Sequence, residues 1–192
     1  MQRYVYLIIA SLLFLSSCGP IIGGAMVAGN GVKDFQVVRG DLSSIRTGSH
    51  LAVLGPFATT ESSFEICRGE EAAAFATSFN QNGLFITELA MNNRLAETIP
   101  RSSDWRRISP EKAQRSLGLS NPPDMVMSAT ILYREMVPAP AQGIIMKVGY
   151  RLDFLELISG NETTVEISVQ QMFRDAVPAS VESLAQHLIS QH

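Results

Sequence analysis

The chain has 192 residues, with 46% hydrophobic and 17% charged residues and a formal net charge of −3. This length fits one domain that buries a substantial core. The acidic balance, 18 Asp and Glu against 15 Lys and Arg, argues against a nucleic-acid surface, so we expect no nucleic-acid partner.

The N-terminus has the pattern of a cleaved export signal. Arg3 is followed by residues 4–15, which carry no charge and are mainly Leu, Ile, Val, Tyr and Phe. A membrane-spanning helix needs about 20 apolar residues, whereas small residues and Pro20 interrupt this run earlier. The pattern therefore predicts that residues 1–17 are a signal peptide.

The sequence Leu15-Ser16-Ser17-Cys18 resembles the lipobox of bacterial lipoproteins. The resemblance implies cleavage before Cys18, diacylglycerol on its sulfur, and a fatty acyl group such as palmitate on its amino group. Gly19 follows the cysteine, and the absence of Asp there implies the outer membrane, with the domain facing the periplasm. The alternative is an ordinary secretory signal that happens to precede a buried cysteine.

After cleavage, 175 residues would remain, with 14 Lys and Arg against 18 Asp and Glu. Lipidation of Cys18 would leave Cys67 without an intrachain partner, so Cys67 is expected to be a small buried apolar residue or to pair with a neighbouring chain. Residues 18–33 are uncharged up to Lys33 and rich in Gly and Ala, which predicts a flexible tether. A close-packing glycine motif in lipid is the alternative. The predicted domain spans residues 34–192.

The first half of this domain predicts a short alternating segment, one buried strand and a long helix. Residues 35–38 alternate, and the apolar residues 50–54 before Gly55-Pro56 indicate a buried strand. Glu70 and Glu71 favour a helix N-terminus. The helix is predicted to continue to Pro100, with a weak point at residues 80–83, because a helical stripe includes Phe75, Phe79, Ile86, Leu89 and Ala96.

The middle of the domain predicts a short strand and a second helix. Residues 105–108 have apolar ends and indicate a strand. Ser109, Pro110 and Glu111 then have the order of an N-cap, a first-turn proline and a first-turn acid. A helix through Leu117 should follow.

The last third predicts three strands and a helix. Residues 125–133 and 144–157 are strand-like, and residues 163–173 alternate apolar and polar side chains, which predicts a hairpin with its turn at residues 159–161. Residues 181–189 have helical spacing of apolar residues. The predicted fold is therefore an α/β (α+β) single open-sheet sandwich, in the order strand-helix-strand-helix-strand-strand-strand-helix.

This order resembles the periplasmic domain of the CsgG/PelC/LpoB family of lipoproteins, which is related in shape to the TolB N-terminal domain. The resembling segments are residues 51–54, 123–131 and 152–160, although Pro123 and Ala129 replace the usual alanine and glycine. The resemblance implies a non-enzymatic component of a secretion or export system that acts through a homo-oligomer or an envelope protein partner. It also allows an auxiliary lipoprotein of an ABC-type lipid transporter or an activator of a peptidoglycan synthase.

The sequence shows no convergent catalytic or metal-binding pattern. His50, His187 and His192 are far apart, and the carboxylate pairs Glu70 with Glu71 and Asp153 with Glu156 have no recognisable active-site context. We therefore expect no enzyme activity, metal or cofactor, with an envelope hydrolase as the rival function.

Two segments are candidates for partner contacts. The first is the cluster Arg101, Trp105, Arg106 and Arg107, because Arg and Trp are frequent at interface hot spots. The alternative is that Trp105 packs in the core and the arginines are solvated. The second is the apolar, proline-containing segment 137–143, predicted to be a loop that covers a sheet edge or docks a neighbour.

Overall fold

The computed structural model describes residues 30–63, 68–91, 105–139 and 143–190. Seven strands in this part of the chain form a single sheet. They are β1 (Gly31–Arg39), β2 (His50–Gly55), β3 (Ala58–Thr59), β4 (Ile86–Met91), β5 (Met125–Ala139), β6 (Gly143–Glu156) and β7 (Glu162–Met172). The helices are α1 (Arg68–Gln81), α2 (Pro110–Leu117) and α3 (Ala176–Ile189), with short 3-10 turns at Leu42–Ser44 and Trp105–Arg107.

The strand order across the sheet is β1-β7-β6-β5-β2-β4, with β3 paired to β5 beyond the end of β2. β2 is parallel to both β4 and β5, whereas β5, β6, β7 and β1 form an antiparallel series. The expected β6–β7 hairpin is confirmed, and Val165, Ile167 and Val169 all point to one buried face. The predicted α/β open-sheet fold is therefore correct.

The main core lies between the sheet and the pair α1 and α3. Phe75 and Phe79 of α1 and Val181 and Leu184 of α3 are fully buried against this face. A smaller core on the opposite face packs α2 against β2, β4 and β5. Helices thus cover one face broadly and the other face only near β2 and β4.

The structure confirms both later helices. Ser109 caps α2, since its hydroxyl accepts a hydrogen bond from the Lys112 N–H at 3.4 Å, and Gly118 ends the helix with φ of +69°. The C-terminal helix α3 buries Val181, Leu184 and Leu188. No helix among the described residues is long and apolar enough to cross a membrane.

The prediction of one long helix through Ile86 and Leu89 is wrong. α1 ends at Gln81, and residues 86–91 form β4, which lies parallel to β2. Gly83 has φ of +64°, a conformation that reverses the chain after the helix. Ala96 and Pro100 lie outside the described residues.

Two further segments differ from their predictions. Residues 105–108 do not form a strand; Trp105–Arg107 is a 3-10 turn, and its three-residue period places Trp105 and Ile108 on the same side, towards the smaller core. The predicted loop 137–143 is largely strand, because β5 runs to Ala139, which pairs with Gly143 of β6. The start of β1 at Gly31 also places its first residues before the predicted domain boundary at residue 34.

Candidate assembly surfaces

One edge of the sheet is β4, and in the described part of the chain it pairs with β2 alone. Three of its apolar side chains are accessible: Ile86 is 52% exposed, Leu89 37% and Met91 54%. An accessible edge strand with apolar side chains is a ready surface for another protein chain. These three residues are called the β4 edge patch below.

Glu88 connects β4 to the segment that follows α2. Its carboxylate accepts hydrogen bonds from the backbone N–H groups of Ser120 at 2.7 Å and Asn121 at 3.0 Å, in the segment after α2. The Ser120 N–H contributes most to holding the pKa of Glu88 below its ordinary value of 4.5. The Glu88 carboxylate in the middle of β4 is therefore bound within the domain.

The opposite edge of the sheet is β1, where Val37 and Val38 are 38% and 51% exposed. Its pairing with β7 is irregular at two places, and Lys33 and Arg39 are charged. Irregular pairing and charge hinder the addition of a regular strand. This β1 edge patch, Val37 and Val38, is therefore suited to contact through side chains.

The predicted Arg and Trp cluster adjoins the β1 edge. Trp105 is 8% exposed and packs in the smaller core, while the Arg106 guanidinium binds the carboxylate of Glu162. Arg39 of β1 binds the same carboxylate at 2.7 Å. Arg101 lies outside the described residues, and so does the side chain of Arg107. The structure thus joins Arg106 to β1 through Glu162, a link that no local sequence pattern reveals.

Beside this link, a surface groove of about 610 Å³ runs between the 3-10 turn and the β6–β7 turn. Gly160 forms part of its wall with φ of +74°, and a Cβ there would come within 3.0 Å of the Arg106 carbonyl oxygen. The glycine therefore allows the two segments to approach closely.

The part of the sheet without a helix cover presents polar side chains. A cavity of about 250 Å³ on this face is lined by Ser128, Thr130, Asp153 and Thr164 among others. The Thr164 hydroxyl donates to Asp153 at 2.7 Å, yet burial raises the pKa of this carboxyl above its ordinary value. Glu156 binds Arg46 and Ser159 instead, so the two carboxylates considered as an acid/base pair are engaged separately.

Glu70 and Glu71 are also separated. Glu70 is exposed, whereas Glu71 is buried and binds the guanidinium of Arg134, and the Tyr150 hydroxyl donates to Glu71 at 2.7 Å. Burial raises the pKa of Glu71 and, together with the adjacent Glu71 charge, that of Tyr150. Glu71 therefore binds both Arg134 and Tyr150 inside the domain.

The described histidines have structural contacts. His187 stacks on Phe35 with ring centroids 3.7 Å apart, and the backbone N–H of His50 donates to Asp124 at 2.9 Å. Within the described ranges, no three His, Cys, Asp or Glu residues are grouped as metal ligands. His192 and Cys67 lie outside the described residues.

No known protein family and no curated protein matches the chain by sequence. Among solved structures, the dodecamer of a PelC variant from Paraburkholderia phytofirmans aligns with a TM-score of 0.52 and 12% identity over 81% of this chain and 98% of that chain. A second PelC dodecamer from the same organism gives a TM-score of 0.46 and 14% identity over 82% and 94%. The hypothetical protein CT253 from Chlamydia trachomatis gives 0.46 and 13% over 75% and 95%. The alignment with a TM-score of 0.52 shows that the chain has a PelC-like fold.

Proposed function

We propose that this chain is a lipid-anchored periplasmic protein that acts without catalysis by assembling with copies of itself as part of an envelope export or secretion system. The observation that carries the proposal is the presence of two different accessible apolar patches, on β4 and on β1, at opposite edges of one sheet. A domain that can bind at both edges is suited to repeated association.

In this arrangement, the β4 edge patch of one copy packs against the β1 edge patch of the next. Because the two patches differ, the contact is head-to-tail, and such contacts close into rings when the rotation between copies permits. Burial of side chains such as Ile86 and Met91 is worth about 1.5–3 kcal/mol each when complete. The fold shared with a PelC dodecamer supports a closed ring.

The membrane part of the proposal rests on the N-terminal sequence. Lipidation of Cys18 would hold the domain at the outer membrane through a tether formed by the residues before β1. Two or more acyl chains anchor a protein durably, because each buried CH₂ contributes about 0.8 kcal/mol. The site for the lipid is Cys18 alone, since no other cysteine follows a small-residue cleavage motif.

The native mass of residues 19–192, measured by light scattering, tests self-assembly. This chain retains every described element, including all of β1. We expect a closed oligomer, and we expect Ile86→Lys with Met91→Lys to reduce it to smaller species. Ile189→Lys is the matched control, because Ile189 is 70% exposed but belongs to neither edge. A monomeric parent chain would contradict the proposal and favour the transport-auxiliary or synthase-activator alternatives.

A further inference from the structure

The cavity on the uncovered face of the sheet lies where two rows of polar side chains cross the strands. Strand pairing forms the first row from Ser128, Asp153, Thr164 and Arg39. The second row, two residues along β5, β6 and β7 and therefore about 6.5 Å away, consists of Thr130, Arg151 and Glu166. The cavity thus has a floor of hydroxyl and carboxyl groups with a guanidinium in each row.

Several polar atoms of the floor have no partner within the described part of the chain. Ser128 is 6% exposed, yet neither its hydroxyl nor that of Thr130 forms a hydrogen bond with another described residue. The Oδ1 atom of Asp153 accepts a hydrogen bond from Thr164 at 2.7 Å, whereas Oδ2 has no such bond to the described residues. Buried polar groups are stabilised by hydrogen bonds, so these atoms favour a bound molecule that supplies them.

The two guanidinium groups have N–H groups to spare. Nε and Nη2 of Arg151 donate to Glu166 at 2.9 and 2.7 Å, and Nη1 of Arg39 donates to Glu162 at 2.7 Å. Nη1 of Arg151 and Nη2 of Arg39 make no hydrogen bond to another described residue. The Arg151 side chain is 43% exposed and lines the cavity, so it can approach a molecule that enters.

The charges that line the cavity cancel. Arg39 and Arg151 are cationic, whereas Asp153 and Glu162 are anionic. A ligand of one sign would be repelled by half of this lining, whereas a ligand with both signs can form a charge-assisted hydrogen bond with each half. We propose that the cavity binds a small zwitterion of the amino-acid class, with its ammonium group on Asp153 and its carboxylate on Arg151.

The size and the remaining lining of the cavity fit such a molecule. A volume of about 250 Å³ admits an amino acid or a short peptide. Val126 and Leu155 of the smaller core form an apolar side that can contact the carbon chain of the ligand. A sugar fits less well, because sugars commonly stack on an aromatic ring, and the ring of Phe154, which borders the cavity, is buried in the main core.

Ligand-observed NMR titration of residues 19–192 tests the inference in any state of assembly. The zwitterionic probes are alanine, γ-aminobutyrate and glycylglycine, which differ in the separation of their charges. Butyrate and butylamine are the matched probes, because each keeps a carbon chain like that of γ-aminobutyrate and carries one of its two charges. At least one zwitterion should bind about tenfold or more tightly than either matched probe.

Two variants assign the two ends of the ligand. Arg151→Gln should weaken zwitterion binding about tenfold and leave butylamine binding unchanged, whereas Asp153→Asn should weaken it similarly and leave butyrate binding unchanged. A general disturbance of the fold would not separate the two probes in this way. Lys147→Gln is the matched control, because Lys147 lies on the same strand and face, pairs with Glu135 at 3.8 Å, and is outside the cavity lining.

Absence of binding by all three zwitterions would overturn the inference, and so would binding of glucose in their place. Equal effects of Arg151→Gln and Lys147→Gln would also contradict it. The variant Ile86→Lys with Met91→Lys, which is designed to disrupt assembly, should bind the zwitterion as the parent chain does. Loss of binding in that variant would contradict a site contained in one domain, whereas a change in native mass alone concerns the proposed assembly.

Discussion

Glu71 and Arg134 form an ion pair inside the domain, with side chains that are only 9% and 2% exposed. Glu71 lies in the first turn of α1, and Arg134 lies on β5 just beyond its pairing with β3. The Tyr150 hydroxyl binds the same carboxylate from β6. The ion pair therefore links the first turn of α1 to strand β5.

Removing only the cation should be costly. Arg134→Met leaves Glu71 buried without its opposite charge, and we expect a loss of about 3–5 kcal/mol in the free energy of unfolding. Arg134→Met with Glu71→Gln should recover much of this loss, because no charge is then buried. Urea unfolding of the two variants measures the difference.

The single variant should also recover as the pH falls. Burial raises the folded-state pKa of Glu71, so the folded state binds its proton more readily than the unfolded state. As the pH falls through that pKa, protonation of Glu71 removes the unpaired buried charge and restores part of the lost stability. A double variant as unstable as Arg134→Met, at every pH, would contradict this account.

Glu88→Gln should destabilise the β4 edge in a pH-dependent way. The folded-state pKa of Glu88 is lowered, so its contribution is present above the ordinary value of 4.5 and is lost as the pH falls through the folded-state pKa. The variant should therefore melt below the parent at roughly pH 7, and the gap should shrink towards roughly pH 3. Glu135→Gln is the control, because the Glu135 side chain is 65% exposed; an equal effect there would refute a specific role for Glu88.

Several features can be predicted from the sequence because the local residue pattern and the tertiary contacts favour the same structure. The alternation of Val165, Ile167 and Val169 predicts the hairpin strand, and Ser109 with Pro110 predicts the start of α2. The three strand residues are buried in the core, and the Ser109 hydroxyl accepts the capping hydrogen bond.

Other features depend on contacts that a linear pattern does not contain. Ile86 and Leu89 continue the helical spacing of α1 by coincidence, and a short apolar run fits a helix or a strand equally well. Pro138 suggests a loop, although the backbone continues β5 to Ala139. Nothing in the sequence around Arg134 reveals that its partner lies in α1.

Charge reversal tests the Arg and Trp cluster. Arg106→Glu with Arg107→Glu places negative charge beside Glu162, which already binds Arg39 near the β1 edge patch. We expect weaker assembly in a native mass measurement and a loss of about 1 kcal/mol or less in stability, since exposed ion pairs contribute little. Arg174→Glu is the control, because this exposed arginine follows the end of β7 that pairs with Gly31, whereas Val37 pairs near the other end of β7. Unchanged assembly would remove the cluster from the interface.

Cys18→Ala should abolish lipidation. In cells labelled with palmitate, the parent chain should carry the label and the variant should not, and the variant should be recovered as an uncleaved or soluble species. Cys67→Ala should keep the label, because Cys67 has no lipobox before it. A labelled Cys18→Ala protein would refute the lipid anchor.

The most direct test of the proposed assembly is to mix two edge variants of residues 19–192. One carries Ile86→Lys with Met91→Lys on β4, and the other carries Val37→Lys with Val38→Lys on β1. If copies associate head-to-tail, each variant alone should be monomeric, since each lacks one half of the contact. Their mixture should form a one-to-one dimer that does not grow, because one intact patch remains on each chain. A mixture that stays monomeric, or a single variant that dimerises alone, would contradict the head-to-tail ring.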